Sequence, residues 1–324
     1  MVAVVAVRPS PSDPLAALEV RDTAPTPTTA PPSDWVPVTV RASALNHHDV
    51  WSLRGVGLPA ERMPMVLGCD AAGVDEDGNE VVVHGVVSDP DWSGDETLDP
   101  KRSLLSERYD GTLAETVVVP RRNLVPKPAE LSFEEAACLP TAWLTAYRML
   151  FTNAGVSPGD TVLVQGAGGG VSTAAIALGR AAGLVVWVTG RDERKRARAL
   201  ELGAAQVFEP GARLPARVDA VIETVGKATW SHSLKSLRPG GTVVVSGATT
   251  GADPSADLNR LFFLQLKVVG STMGTRAELA GLLSLLVASG VRPVVDEVLP
   301  LAEARRGFER LEAGDVVGKV VLTP

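Results

Sequence analysis

Cysteine is nearly absent: the 324 residues contain only Cys69 and Cys138, far apart along the chain. That excludes a disulfide framework of the kind small secreted domains use, and it fits a reducing cytoplasm. Long hydrophobic runs are lacking too. The apolar start from Met1 to Val7 is broken by Arg8 and Pro9, too short for a signal-peptide core or for the roughly 20 residues that span a bilayer. No targeting or membrane segment is therefore expected. Nor is there an excess of positive charge. Lys and Arg number 31 against 38 Asp and Glu, a formal charge of -7, whereas a nucleic-acid surface needs basic residues gathered on one face. A small-molecule partner is expected instead. Internal repeats and low-complexity tracts are missing as well.

What is present is ordinary globular material, 45% hydrophobic and 21% charged, enough to build a packed core throughout. At roughly 100 to 200 residues per domain, the length suggests two domains. The Thr-, Pro- and Ala-rich stretch from Thr23 to Asp34 reads as a surface loop. Trp35 to Ala42 and Glu80 to His84 carry strand-like patterns, as does Thr112 to Pro120, so the first part is β-rich. Between them, Ser88 to Leu105 is dense in Asp, Pro and Gly and predicts an irregular lobe.

The pattern changes at Ser132, which forms a capping-box signature with Glu135 ahead of an apolar helical stretch reaching Met149. Strand-like Thr161 to Gln165 is followed by a glycine cluster, an Ala-rich helix from Val171 to Ala182, and strand-like Val185 to Thr189. A charged helix follows from Asp192 to Leu202, then strands at Val218 to Glu223 and Gly241 to Ser246 flanking a helix near Trp230 to Leu237. Such alternation predicts an α/β domain with a doubly wound parallel sheet. The tail has helices around Ala277 to Ser289 and Leu301 to Glu312 and closes on the strand Lys319 to Leu322, which is placed to rejoin the first domain.

Gly166, Gly168, Gly169, Gly170 and Val171 lie where a strand gives way to a helix. There, glycines let backbone amides approach a pyrophosphate aimed at the helix N-terminus, so a dinucleotide site is expected. An enzyme using NAD ordinarily ends its second strand on an Asp or Glu, about 20 residues after the glycines, to hold the ribose hydroxyls. Here that end reads Val188-Thr189-Gly190-Arg191. No acid terminates the strand, and Arg191 with Lys195 is placed to pair a 2′-phosphate, so NADPH is the expected cofactor. Arg194, Arg196 and Arg198 read as the solvated face of the following helix.

Several ordered stretches extend beyond these motifs. They are Ala44-Leu45-Asn46-His47-His48-Asp49, Leu67-Gly68-Cys69-Asp70-Ala71-Ala72-Gly73, Asp110-Gly111-Thr112-Leu113-Ala114-Glu115, Leu144-Thr145-Ala146-Tyr147, Leu237-Arg238-Pro239-Gly240-Gly241, Leu261-Phe262-Phe263 and the closing Gly318-Lys319. Together they resemble the medium-chain dehydrogenase/reductase superfamily, in its zinc-independent quinone oxidoreductase-like branch. The resemblance implies a GroES-like catalytic domain over 1–127 and 266–324 and a Rossmann dinucleotide-binding domain over 128–265. It also implies a homodimer joined through the nucleotide sheets.

In alcohol dehydrogenases of that superfamily a catalytic zinc is held by Cys, His and Cys, and the matching positions here are Asn46, Cys69 and Thr141. One thiol, one amide and one hydroxyl are a poor donor set for zinc. The structural zinc of the family needs four cysteines in the lobe from Ser88 to Tyr109, which has none. Neither metal is expected, although Cys69 with His47, His48 or Asp70 leaves an adventitious site open. Without a Lewis acid, the favoured hydride acceptor is a quinone or α,β-unsaturated carbonyl, where developing charge spreads into conjugation. The resemblance places Asn46 as an amide donor to the substrate oxygen, against an Asx turn as the structural reading. Asp49 is either catalytic or a buried support. Trp51 stands where many relatives have tyrosine, leaving stacking on a flat acceptor or core packing. His47 or His48 could supply a proton. Tyr147 is read as packing. Thr189, Ser246, Ala248, Thr249 and Lys319 are read as cofactor contacts, and Phe208-Glu209-Pro210 occupies a region where NADPH-using relatives often have tyrosine. An alcohol dehydrogenase with unconventional metal ligands and a non-catalytic NADPH-binding module are the alternatives.

Overall fold

The computed structural model describes residues 2–324. Two compact units emerge: one runs to Ala142 and resumes over Met273–Pro324, and the other is Trp143–Thr272. Both breaks fall later than those drawn from sequence at 127/128 and 265/266, for reasons of packing. The capped helix Phe133–Ala137 lies against strands Trp35–Ala44 and Ala71–Asp75, which keeps it with the first unit. Strand Lys267–Gly270 pairs in parallel with Leu237–Val245, which keeps it with the second.

The first unit is built on a seven-stranded sheet. Its path runs Leu124–Pro126, Glu80–Val83, Ala71–Asp75, Trp35–Ala44, Lys319–Thr323 and Val295–Pro300, with Thr116–Pro120 paired on the other part of Trp35–Ala44. The alternation read in Trp35–Ala44 is real: Val36, Val38 and Val40 are buried, while Pro37, Thr39 and Arg41 face solvent. The tail does rejoin this unit, since Val321 opposes Ala44 and Leu322 opposes Ser43 in antiparallel register. A core formed by Val4, Leu45, Leu53, Leu67, Phe308 and Leu322 joins both ends of the chain. Helix Ala304–Ala313 contributes Phe308, fully buried. Thr23 to Asp34 carries no helix or strand, and the lobe after Ser88 holds one short helical turn, Glu96–Leu98. The Ser132 capping box forms as read, with its hydroxyl accepting from the Glu135 amide and the Glu135 carboxylate accepting from the Ser132 amide.

The second unit is a six-stranded parallel sheet in the order Gln206–Phe208, Val185–Thr189, Thr161–Gln165, Val218–Glu223, Leu237–Val245, Lys267–Gly270. Helices Gly170–Ala181, Glu193–Leu202, Lys227–Ser236 and Leu258–Phe263 lie between these strands in sequence. Strand order reverses at Thr161–Gln165, and in such sheets ligands bind outside the carboxyl ends of the strands beside that reversal. Leu163, Trp187, Val221, Leu234 and Val243 form the core on one face. Among the described residues, no helix is long and apolar enough to cross a membrane.

Candidate functional site

In the second unit, the chain leaves Thr161–Gln165 through Gly166, whose φ of +91° is one that side chains with a Cβ rarely adopt. Gly169 then caps helix Gly170–Ala181 in extended conformation with no side-chain hydrogen bond to the first turn. First-turn amides are thus left for an outside acceptor, and they carry the positive end of the helix dipole. A Cβ on Gly168 would lie 2.6 Å from Lys195 Cδ and 3.1 Å from its Nζ. The Lys195 ammonium therefore stands over the backbone of the glycine turn. Arg191 is exposed just past Val185–Thr189. Asp192 caps the next helix by accepting from the Lys195 amide at 2.9 Å. These residues suit a pyrophosphate with an additional phosphate close by.

The structure adds hydrogen-bond partners to two residues read from the sequence and corrects one of them, Arg196. Thr189 is buried, and its hydroxyl donates to Gln165 Oε1, so it braces two neighbouring strand ends and its oxygen is left only as an acceptor. Arg196, read as a solvated helix residue, donates to the Gly190 carbonyl at 2.6 Å and the Arg191 carbonyl at 3.1 Å. It holds the turn that presents Arg191. Arg198 does lie on the surface, paired with Glu201. Ser246, Ala248 and Thr249 follow the Leu237–Val245 strand as read. The Ser246 amide donates to the Glu223 carbonyl at 3.0 Å and the Ala248 carbonyl accepts from Gly251 at 3.0 Å. Phe208 packs edge-on against Trp187 with ring centroids 5.8 Å apart, and Tyr147 against Phe151 at 5.0 Å.

Sequence reasoning missed the polar network beneath this turn. Gln165 Nε2 donates to Ser233 Oγ at 3.0 Å, and Ser233 Oγ donates to Glu223 Oε2 at 2.6 Å. Glu223, fully buried, also accepts from the Val225 and Gly226 amides at 2.8 and 3.0 Å and from Thr229 Oγ1. Low dielectric makes such a network costly when incomplete and rigid when complete. The available signal was that Gln165, Thr189 and Glu223 each end a parallel strand directly after a run of apolar residues.

In the first unit, a second polar cluster surrounds Asn46, the residue before helix His47–Leu53. Asn46 Nδ2 donates to Asp70 Oδ2 at 2.8 Å and to the Ala44 carbonyl at 3.2 Å. Its Oδ1 accepts from Lys319 Nζ, which also donates to the Leu45 carbonyl at 2.7 Å and to Asp70 Oδ2 at 3.1 Å. Both N–H groups of the Asn46 amide are therefore engaged inside the protein, which corrects the reading of that amide as a free donor. Lys319 is corrected likewise: only 3% of its side chain is exposed and its three bonds are internal, so it is no free cofactor contact. Asp49 is the buried support, accepting from the Asn46 amide at 2.8 Å and the Gly68 amide at 3.1 Å. Trp51 is half-buried, with the Arg54 guanidinium 5.2 Å from its ring centroid, a cation–π contact.

His48 links two further groups: its Nδ1 lies 3.4 Å from Cys69 Sγ and its Nε2 lies 3.1 Å from Glu107 Oε1. Burial disfavours the imidazolium, yet Cys69, Glu107 and Asp49 hold its pKa well above the ordinary 6.5. Burial pushes the Cys138 thiol up to about 12. Neither cysteine is in a disulfide.

Comparison with known proteins agrees with this geometry. Residues 32–129 match the alcohol dehydrogenase GroES-like domain and residues 170–288 match the zinc-binding dehydrogenase domain. The acryloyl-coenzyme A reductase of Metallosphaera sedula is 34% identical over 90% of this chain and 93% of its own. The chain belongs to the medium-chain dehydrogenase/reductase superfamily. It is an oxidoreductase of that superfamily, with a GroES-like domain and a Rossmann-like nucleotide-binding domain. Among solved structures, an NAD-dependent alcohol dehydrogenase superposes with a TM-score of 0.90 at 36% identity, covering 100% of both chains. The 2-octenoyl-CoA carboxylase reductase CinF, solved with NADP and 2-octenoyl-CoA, also gives 0.90, at 29% identity over 99% of this chain and 87% of its own.

The family's catalytic zinc does not fit the matching positions here. Asn46 turns its carbonyl oxygen to the Lys319 ammonium and its nitrogen to Asp70, so a dication beside it would face a fixed positive charge. Of the remaining two, Thr141 offers a neutral hydroxyl and only Cys69 a thiol, short of the three good donors a catalytic zinc needs.

Proposed function

We propose that this protein is an NADPH-dependent reductase that transfers hydride to a conjugated carbonyl, an enone, enoyl thioester or quinone, without a zinc ion at positions 46, 69 and 141. The observation that carries the cofactor reading is the Lys195 ammonium over Gly168, with Arg191 exposed beside it and no acid ending the second strand. Gly166, Gly168, Gly169, Gly170 and Val171 would cradle the pyrophosphate, Arg191 and Lys195 the 2′-phosphate, and Ser246, Ala248 and Thr249 the nicotinamide side. Bound NADPH supplies the hydride. The poor fit of positions 46, 69 and 141 to a catalytic zinc supports the substrate class, because a conjugated acceptor spreads the developing charge that a metal held there would otherwise stabilise. The names of relatives point the same way, an acryloyl-CoA reductase and an enzyme solved with 2-octenoyl-CoA. Asn46, Asp49 and Trp51 remain our proposal for the catalytic neighbourhood, with Asn46 and Asp49 as positioning residues.

The same reading includes a homodimer. Strand Lys267–Gly270 is the last of its sheet, and Val268, Phe262 and Phe263 beside it are 49%, 60% and 77% exposed. A second copy pairing there would satisfy the edge and cover the aromatics. Two unpaired thiols suit a cytoplasmic setting.

The test is NADPH oxidation by metal-stripped protein on enoyl-CoA thioesters, enones, quinones and aldehydes, with NADH in parallel. Turnover of conjugated acceptors with NADPH preferred is expected. Activity confined to alcohols and aldehydes, and restored only by zinc, would overturn the proposal.

A further inference from the structure

Although the inherited zinc positions as a set are unsuitable, the structure brings one of them, Cys69, together with two further donors in the first unit. His48, Asp49 and Cys69 each offer one ligand atom, and these atoms all lie within 4.8 Å of one another. They come from two segments. His48 and Asp49 are in the first turn of helix His47–Leu53, and Cys69 precedes the strand Ala71–Asp75. We propose that His48 Nδ1, an Asp49 carboxylate oxygen and Cys69 Sγ form a site for one zinc ion, which keeps position 69 of the superfamily's set and replaces positions 46 and 141 by two residues of helix His47–Leu53.

The distances suit that ion. Zinc binds thiolate at about 2.3 Å and imidazole nitrogen at about 2.0 to 2.1 Å in tetrahedral geometry, which sets sulfur and nitrogen roughly 3.5 Å apart. Cys69 Sγ and His48 Nδ1 are 3.4 Å apart. The second imidazole nitrogen meets the Glu107 carboxylate at 3.1 Å. Zinc-binding histidines ordinarily present such a pair, metal on one nitrogen and carboxylate on the other, which orients the ring and raises its basicity. Glu107 is itself held, since its Oε2 accepts from the Leu104 amide at 3.0 Å. Asp49 is fixed by the two amides it accepts from, at 2.8 and 3.1 Å. A soft thiolate with one imidazole selects zinc or a similar transition ion over magnesium or calcium. One thiolate and one carboxylate would balance its charge. Asp49 and Cys69 are fully buried while the His48 side chain is 19% exposed, so the open side for a fourth ligand lies toward the imidazole.

Cobalt is the probe, since thiolate-bound four-coordinate Co²⁺ shows a near-ultraviolet charge-transfer band and intense visible bands. Metal-stripped full-length protein titrated without oxygen with CoCl₂ is expected to develop both at one equivalent and to lose them on adding one equivalent of ZnCl₂. Cys69→Ser and His48→Ala should abolish the charge-transfer band, Cys138→Ser should retain it, and Glu107→Gln should weaken cobalt binding roughly ten- to hundred-fold. Unmodified protein gives a check that needs no variant: one equivalent of zinc should stay with it through gel filtration, read by metal analysis. No band at tenfold excess cobalt, a band that survives Cys69→Ser, or zinc lost on gel filtration would each overturn the site. These readouts are spectroscopic and chemical, so they stand apart from whether conjugated carbonyls are reduced.

Discussion

Replacing Lys319 by Met tests the first unit's buried cluster, because it removes the charge while keeping most of the side-chain volume. Asp70 would then keep one donor, Asn46 Nδ2 at 2.8 Å, on Oδ2. Its Oδ1 already lacks a hydrogen-bond partner, and none of the residue is exposed. The Leu45 carbonyl and Asn46 Oδ1 lose their ammonium donor as well. Leaving one member of a buried ion pair uncompensated costs about 3 to 5 kcal/mol. At roughly 2 to 4 °C per kcal/mol for a unit of this size, the melting temperature should fall by about 6 to 20 °C. Removing both charges is far milder, so Lys319→Met with Asp70→Asn should recover at least about 2 kcal/mol of the loss. Urea denaturation measures the energies, and hydrogen exchange along Lys319–Thr323 assigns them to this strand. A single-variant loss below about 1 kcal/mol, or a double variant no more stable than the single, would refute the account of this pair.

Arg191→Ala should raise the Michaelis constant for NADPH at least about tenfold, the worth of one charge-assisted hydrogen bond, with NADH nearly unaffected. Equal effects on both cofactors would remove Arg191 from phosphate recognition. A Cβ on Gly307 would meet Leu45 Cδ1 at 2.8 Å and Val320 Cγ1 at 3.2 Å, so Gly307→Ala is expected to cost about 1 to 3 kcal/mol by overpacking; a neutral result in urea denaturation would show that the helix can shift outward. Ser233→Ala deprives Glu223 Oε2 of one donor and Gln165 Nε2 of one acceptor. A loss of about 1 to 3 kcal/mol is expected in the second unit, and exchange rates in Val218–Glu223 that match the parent would count against the network.

Much of the architecture was legible because it rests on local chemistry. Valines at every second position forecast Trp35–Ala44, and the reciprocal Ser132 and Glu135 signature forecast a helix start that formed as read. The glycine turn declared itself through its place between a strand and a helix. Boundaries were harder, because whether Phe133–Ala137 or Lys267–Gly270 belongs to one unit or the other depends on partners distant in sequence. Site chemistry was hardest for the same reason. Asn46, Asp70 and Lys319 are separated by up to 273 positions yet share one set of hydrogen bonds, and no local pattern announces that an amide will point inward. Nor does a hydroxyl at a strand end, such as that of Thr189, show in the sequence that Gln165 will accept its hydrogen bond.

The pairing of Lys319–Thr323 with Trp35–Ala44 also bears on how the protein is born. A ribosome releases Trp143–Thr272 as an uninterrupted segment, whose six strands can find each other while the rest is still being made. The other unit must wait: Ser43 and Ala44, at the end of its longest strand, have no strand partner on one side until Lys319–Thr323 has been made. A nascent chain therefore carries a finished nucleotide fold and a sheet still short of two strands at the same moment. That interval is where a chaperone, or an aggregate, has its opportunity.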